Sequence, residues 1–335
     1  MERNNSSISA PWVQIQQKTF TNWVNEQLKP SDKHVDDLVT DFEDGLMLIT
    51  LMDSLVASRG LPMYKKRSSY CKNPRLRVQK MENVSHALQM MERAGIKMVN
   101  VGNEDIVEGN LKLILGLVWR IIQKFQLSSG AVAAVNGSLE GNAPPQQKNN
   151  QKVPPKKLML KWINSVLPED AGVVKNFSTN WNSGVILSAL LNYCDPELMP
   201  NWRELDKSNG LENCREAMRV ANEKYGIPMV VSPEDLSNKH IDELSGMTYF
   251  SYFLKHEGPG WYATLNWVRK NVPEEDVKNF KSDWNDGLVL CGLVNAVGGD
   301  CSDWKDMDRD DKISNCHKDL LDPYTAGYID KELMN

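Results

Sequence analysis

The chain has 335 residues, of which 41% are hydrophobic and 25% are charged, close to the average soluble globular protein. This composition excludes a disordered, a collagen-like and a disulfide-stapled chain, and the length indicates two or three domains. The net charge of −5 argues against a nucleic-acid binder, which would usually be strongly basic. We therefore expect no nucleic-acid partner.

The N-terminus has no apolar segment typical of a signal peptide, and no stretch has the composition of a membrane span. The six cysteines form no CxxC pair, so they are expected to be reduced thiols inside a cell.

The predicted elements are helices, because apolar residues recur at helical spacing and no segment shows sustained alternation. The first such stripe comprises Phe20, Trp23, Val24 and Leu28. A second helix covers residues 110–125, and its core stripe comprises Ile114, Leu117, Val118, Ile121, Ile122 and Phe125. Further apolar residues, Leu111, Leu113, Leu115 and Trp119, lie off that stripe and favour either burial or a surface for a partner.

Residues 128–157 contain four prolines and no aromatic residue, which predicts a flexible linker. Helical stripes resume after it, with Met159, Trp162, Ile163 and Val166, and again with Trp261, Leu265, Val268 and Val272. Trp23, Trp162 and Trp267 each lie on an amphipathic helix and are expected to be core residues. The interpretation is an all-α chain.

An internal repeat organises the chain. The stretch Asn176–Phe177…Trp181…Gly184 returns at an offset of 103 residues as Asn279–Phe280…Trp284…Gly287, and Asn213–Cys214 returns at an offset of 102 as Asn315–Cys316. A more distant copy is found at residues 38–49. The third copy continues for only 19 residues after Cys316 and lacks a counterpart of the aromatic stretch 247–253, so we expect it to be incomplete, without a cooperative core of its own, and protease-sensitive.

No motif supports catalysis or a metal. The sequence contains no phosphate-binding loop, no nucleophile elbow and no HExxH, and the five histidines do not cluster with cysteine or acid. The acidic run at residues 300–311 fails the EF-hand pattern, because Asp311 and His317 occupy the positions that require Gly and Glu. We expect no enzyme activity, no catalytic residue, no metal and no cofactor.

The basic residues are unevenly distributed. Residues 1–127 and 128–157 each carry a net charge of +3, whereas residues 158–257 carry −5 and residues 258–335 carry −6. Residues 54–81 hold eight basic side chains and no acid. The unevenness favours an acidic partner for the first half, with a protein filament, an anionic membrane and nucleic acid as candidates, or a solvated basic loop.

The motifs at residues 12–26, 41–49, 79–84 and 108–119 resemble the first calponin-homology domain of filamin-type actin-binding regions. Residues 157–257 resemble the second such domain, through Ala217–Met218, residues 226–228 and 232–234, and residues 247–249. Residues 260–316 are similar to part of a third. The resemblance implies an N-terminal flank 1–11, a first domain 12–127, a linker 128–156, a second domain 157–257 and a partial third domain 258–335.

The family implies a cytoplasmic, cytoskeletal protein that binds the side of F-actin through its tandem pair. Carried over by position, the candidate contacts lie on the first and last helices of domain one, on a basic loop, and on the first helix of domain two: Gln14, Gln17, Lys18, Thr21, Asn25, Lys65, Lys66, Arg67, Lys112, Leu115, Trp119, Arg120, Lys161 and Trp162.

The alternative is an adaptor that binds a phosphoinositide-containing membrane or signalling partners with little actin affinity. The sequence shows no evident self-dimerisation segment, so filament crosslinking by the filamin route is not expected. The linker would permit the opening of the pair that is tied to activation in the family.

Overall fold

The computed structural model describes residues 10–59, 70–98, 100–127, 153–255, 257–280 and 282–321. Regular structure in these ranges is helical throughout, so the all-α prediction is confirmed. The chain divides into two compact units, Met1–Gly258 and Pro259–Asn335. The predicted linker lies almost wholly outside the described residues, as do Lys65, Lys66 and Arg67.

The first two helical domains share one unit and one continuous hydrophobic core. The first domain comprises α1 Pro11–Leu28, α2 Leu38–Asp41, α3 Leu46–Ala57, α4 Arg77–Arg93, α5 Asn103–Val107 and α6 Leu111–Ile122, extended by a π-helical turn Gln123–Leu127. The second comprises α7 Pro155–Val166, α8 Val185–Cys194, α9 Gly210–Tyr225, α10 Pro233–Leu236 and α11 Glu243–Leu254.

The third domain, in the second unit, comprises α12 Pro259–Asn271, α13 Leu288–Ala296 and α14 Lys312–Leu321. Its buried apolar residues form two small clusters, one around Trp261 and Leu265 and one around Cys291 and Trp304. The prediction that it lacks a cooperative core remains a prediction.

A glycine and an asparagine lock two helices together in every domain. The pairs are Gly45 with Asn83, Gly184 with Asn213, and Gly287 with Asn315. Each glycine has a left-handed φ between 71° and 82° and caps the N-terminus of a buried helix. A Cβ on Gly184 would lie 2.6 Å from the backbone nitrogen of Cys214, so only glycine fits there.

The asparagine side chain completes the lock by holding two loop carbonyls. Asn213 Nδ2 donates to the carbonyl oxygens of Ser183 at 2.9 Å and Asp206 at 2.8 Å. Asn83 and Asn315 each donate to two backbone carbonyls in the same way. The repeat seen in the sequence therefore reflects one packing device used three times.

The predicted core stripes are buried almost throughout. Every predicted core residue of α1 and of residues 114–125 is buried, as are Trp261, Leu265, Val268 and Val272. The tryptophan prediction is confirmed for Trp23, which is fully buried, and is wrong for Trp267, whose side chain is 44% exposed.

Trp162 is half-buried and packs edge-on against Tyr193 of α8, with ring centroids 6.3 Å apart. The position of the third domain that corresponds to Tyr193 in the repeat is Ala296, which has no ring. Among the described helices, none is both long and apolar enough to cross a membrane.

Candidate functional site

The predicted strip on α1 is only partly open to solvent. Gln14 and Lys18 are exposed, whereas Gln17, Thr21 and Asn25 are half-buried. Asn25 has an internal role, because its amide exchanges two hydrogen bonds with the backbone of Val35, at 2.8 and 2.9 Å. This contact fixes the loop after α1 within the first domain.

The side of α1 next to this strip contacts the second domain. Lys18 Nζ lies 2.7 Å from Asp235 Oδ2 and 3.3 Å from Ser232 Oγ, the residue that caps α10. Asn22 Nδ2 donates to the carbonyl oxygen of Val230 at 3.1 Å. One predicted site residue, Lys18, is thus engaged within the tandem pair.

The strongest of these contacts joins Gln16 to Asp242. Gln16 Nε2 donates to Asp242 Oδ1 at 2.8 Å, and Gln16 is only 6% exposed. The same carboxylate caps α11 by accepting the backbone N–H groups of Leu244 and Ser245. A hydrogen bond to a charged group contributes about 1.5–3 kcal/mol. The half-exposed Lys18–Asp235 pair contributes at most about 1 kcal/mol.

The last helix of the first domain presents a stripe of three exposed cations, with a glycine between the first and the second. Lys112, Gly116, Arg120 and Lys124 are all exposed and follow one another at intervals of four residues. None of the three cations forms an ion pair within the part of the chain that the structure describes. Lys124 was not among the predicted site residues, although the spacing of four could have revealed it.

The two apolar site residues on α6 do not form part of that stripe. Trp119 is half-buried, and its ring stacks on Phe20 of α1 with centroids 6.2 Å apart and planes within 4°. Leu115 is 5% exposed, so its predicted place on the surface is wrong. Its side chain instead joins the core, because α6 is covered over more of its circumference than the core stripe alone indicates.

The basic segment at residues 54–81 is partly neutralised inside the domain. The guanidinium of Arg59 lies 4.8 Å from the centroid of the Phe125 ring, donates to the Phe125 carbonyl oxygen, and has its pKa lowered by burial. Arg77 pairs with Glu108 at 2.7 Å, and Lys80 pairs with Glu43 at 2.8 Å.

Two exposed aliphatic residues accompany the remaining basic side chains. Leu76 is 61% exposed and Val78 is 56% exposed at the start of α4, while Lys72 and Arg75 beside them are exposed. Neither cation forms an ion pair with another described residue. Sequence analysis missed both aliphatic residues, because an apolar residue at the start of a helix cannot be identified from the sequence alone as exposed or as part of the core. The result is a mixed cationic and apolar surface within the described part of the predicted basic loop, residues 65–80.

On the second domain, Lys161 of α7 is exposed and Trp162 is half-buried. The described ranges hold no group of three side chains placed to bind a metal ion. Exposed cations attract acidic partners through the electrostatic potential that they create. The arrangement is a tandem of small helical domains with an exposed basic surface on the first.

The chain belongs to the Calponin homology (CH) domain family, whose model matches residues 14–127, 153–258 and 259–320. Filamin-C of Rattus norvegicus is 39% identical over 246 residues. Filamin-A of Drosophila melanogaster is 38% identical and Interaptin of Dictyostelium discoideum 34% identical, each over 244 residues. These matches cover 73% of this chain but only 8–13% of the relatives.

Among solved structures, the chain is similar to the actin-crosslinking core of Schizosaccharomyces pombe fimbrin. The TM-score is 0.51 and the identity 21%, with 91% of this chain and 67% of that chain covered. At this identity the similarity concerns the fold. The family match and the filamin relatives confirm the resemblance to filamin-type calponin-homology domains.

Proposed function

We propose that the chain is a non-enzymatic cytoskeletal protein that binds the side of actin filaments through its tandem CH pair. The observation that carries the proposal is the exposed stripe of Lys112, Arg120 and Lys124 on α6, in a chain related to filamin over both domains of the pair. Actin filaments are acidic, and the first domain with its linker is the part of this chain that has a net positive charge.

The binding surface that we propose extends from this stripe to the first helix and to the start of α4. Gln14 and Lys18 supply polar contacts on α1, and Leu76 supplies exposed apolar area among basic residues. Lys161 on α7 would contribute from the second domain. Such a surface combines long-range attraction with short-range apolar burial.

Co-sedimentation of the 335-residue chain with actin filaments tests the proposal. We expect pelleting at low ionic strength that weakens as salt rises, because exposed charges are screened. The absence of pelleting at low ionic strength would refute filament binding. Localisation to the actin cytoskeleton in cells is the corresponding expectation in vivo.

Charge reversal identifies the surface. Lys112→Glu with Arg120→Glu should reduce filament affinity at least about tenfold, since two attractive contacts become repulsive. The matched control is Lys175→Glu with Lys207→Glu, which reverses two exposed lysines of the second domain and so makes the same change in net charge. Equal loss in the two variants would show a non-specific charge effect. Reversal of Lys65, Lys66 and Arg67 tests the basic loop in the same assay.

Flotation with liposomes, with and without phosphoinositide, tests the alternative of a membrane adaptor. Flotation without filament pelleting would replace the proposal by that alternative. Filament pelleting by the chain and by the Lys175→Glu, Lys207→Glu control, together with no flotation, would support filament binding over the alternative.

A further inference from the structure

Ser232 begins a motif that the proposal of filament binding does not use. It is followed directly by Pro233, and the sequence contains no other Ser–Pro or Thr–Pro pair. A serine directly before a proline is the pair that proline-directed protein kinases recognise. The backbone at Ser232 is extended, with φ −80° and ψ 157°, as the residue before a proline prefers. Ser232 is therefore the one residue of this chain that such a kinase would select by its motif.

The hydroxyl of Ser232 lies at the contact between the first two domains. Ser232 is partly exposed, and its Oγ donates to Asp235 Oδ2 at 2.7 Å and accepts from the backbone N–H of Asp235 at 3.1 Å. Lys18 Nζ of α1 lies 3.3 Å from the same Oγ and 2.7 Å from Asp235 Oδ2. One ammonium group of the first domain thus faces both a hydroxyl and a carboxylate of the second.

The charges around this hydroxyl determine the effect of a phosphate placed there. Phosphorylation adds a charge of about −1.5 to −2 and three strong acceptor oxygens. The phosphate would repel the carboxylates of Glu234 and Asp235, of which Glu234 is paired with Arg215 of α9 at 3.0 Å. This repulsion lies inside the second domain, so it is the same whether or not the first domain is in contact.

The attraction to Lys18, by contrast, exists only while the two domains are in contact. Among the residues that the structure describes, Lys18 is the charged group of the first domain within hydrogen-bonding distance of the Ser232 hydroxyl. A bond from an ammonium group to a phosphate is charge-assisted, and it is about twice as strong as a bond between neutral groups. A phosphate on Ser232 therefore favours the joined form of the two domains over the separated form.

We propose that Ser232 is a phosphorylation site whose phosphate binds Lys18 and strengthens the contact between the first two domains. In the transfer from ATP, the bond between Ser232 Oγ and the γ-phosphorus forms and the bond from that phosphorus to the ADP oxygen breaks. The catalytic base of the kinase takes the hydroxyl proton. The hydroxyl then no longer donates to Asp235, and the ammonium group of Lys18 turns to the phosphate. The inference is independent of filament binding.

The first test treats the 335-residue chain with Mg-ATP and a proline-directed kinase that phosphorylates a synthetic peptide of residues 226–242. We expect intact-mass measurement to show one phosphoryl group, peptide mapping to place it on Ser232, and the Ser232→Ala variant to lack it. Phosphorylation of the peptide without phosphorylation of Ser232 in the folded chain would overturn the proposal, because the fold would then hide the serine.

Acylation of lysines by an amine-reactive ester, measured by mass spectrometry, tests the contact with Lys18 in the unmutated chain. The phosphate should slow acylation of Lys18 at least about threefold, because an ammonium group bound to an anion gives up its proton less readily. Lys175, an exposed lysine elsewhere in the second domain, should react at the same rate before and after phosphorylation. An unchanged rate at Lys18, or an equal decrease at Lys175, would overturn the proposal.

The melting temperature shows whether this contact strengthens the association of the two domains. Phosphorylation should change the melting temperature more favourably, by about 2–4 °C, in the chain with Lys18 than in Lys18→Ala. Lys29→Ala is the matched control, because Lys29 pairs with Glu26 inside the first domain at 2.7 Å, and it should leave the effect of the phosphate unchanged. An equal effect of the phosphate with and without Lys18 would overturn the proposal.

Discussion

Replacement of Gln16 by alanine should strengthen filament binding, although Gln16 lies beside the predicted contact strip. The change removes the hydrogen bond from Gln16 Nε2 to Asp242 Oδ1, at 2.8 Å in a buried setting. Asp242 keeps its two backbone N–H donors, so α11 stays capped. The expected loss from the contact between the two domains is about 1.5 kcal/mol, the lower end for a hydrogen bond to a charged group.

That loss corresponds to about a tenfold rise in the population of separated domains, since about 1.4 kcal/mol is a factor of ten. If filament binding requires the separated form, the apparent Kd falls by the same factor. Co-sedimentation measures the Kd, and small-angle scattering measures the larger radius of gyration.

The neighbouring Gln17→Ala is the matched control. Gln17 is on the predicted contact strip, and among the described residues its side chain forms no hydrogen bond to the second domain, so its replacement should weaken binding or leave it unchanged. A larger radius of gyration for Gln16→Ala without tighter binding would refute the link between opening and affinity.

Three further predictions concern single positions. Gly116→Ala should raise the free energy of unfolding by roughly 0.5–1 kcal/mol in urea denaturation, because its Cβ would meet no atom within 4 Å, and should reduce filament pelleting if actin packs against this stripe. Gly184→Ala should lower the melting temperature by about 4–8 °C, since a left-handed φ and a 2.6 Å approach to Cys214 together cost about 2 kcal/mol in a cooperative unit of this size; an unchanged value in calorimetry would contradict the lock. Burial raises the pKa of the Cys214 thiol to about 12, so at pH 8 it stays protonated, and alkylation followed by mass spectrometry should be roughly a thousandfold slower than in urea-unfolded protein; comparable rates would show that the thiol is accessible.

Local periodicity predicted the helices and their core stripes well. Phe20, Trp23 and Val24 are buried because residues three and four apart share one face of a helix, and this spacing is written in the sequence. The repeats at offsets of 103 and 102 likewise marked the glycine and asparagine positions that form the lock in the second and third domains.

Contacts distant in the chain could not be predicted in this way. Gln16 and Asp242 are 226 residues apart in the chain, and nothing in the sequence distinguishes either one from an ordinary polar surface residue. They meet only because the second domain packs against α1. The same limit explains Leu115, which lies off the core stripe of α6 and is nevertheless buried.

The burial of α11 on all sides has a consequence for how the tandem pair unfolds. Its residues complete the core of the second domain through Phe250 and also pack against α1 and the π-helical turn of the first domain. Detaching this helix would uncover apolar surface in both domains at once. Heat or denaturant should therefore melt the two domains in a single cooperative transition, and almost any substitution between Ser245 and Leu254 should lower that shared melting point.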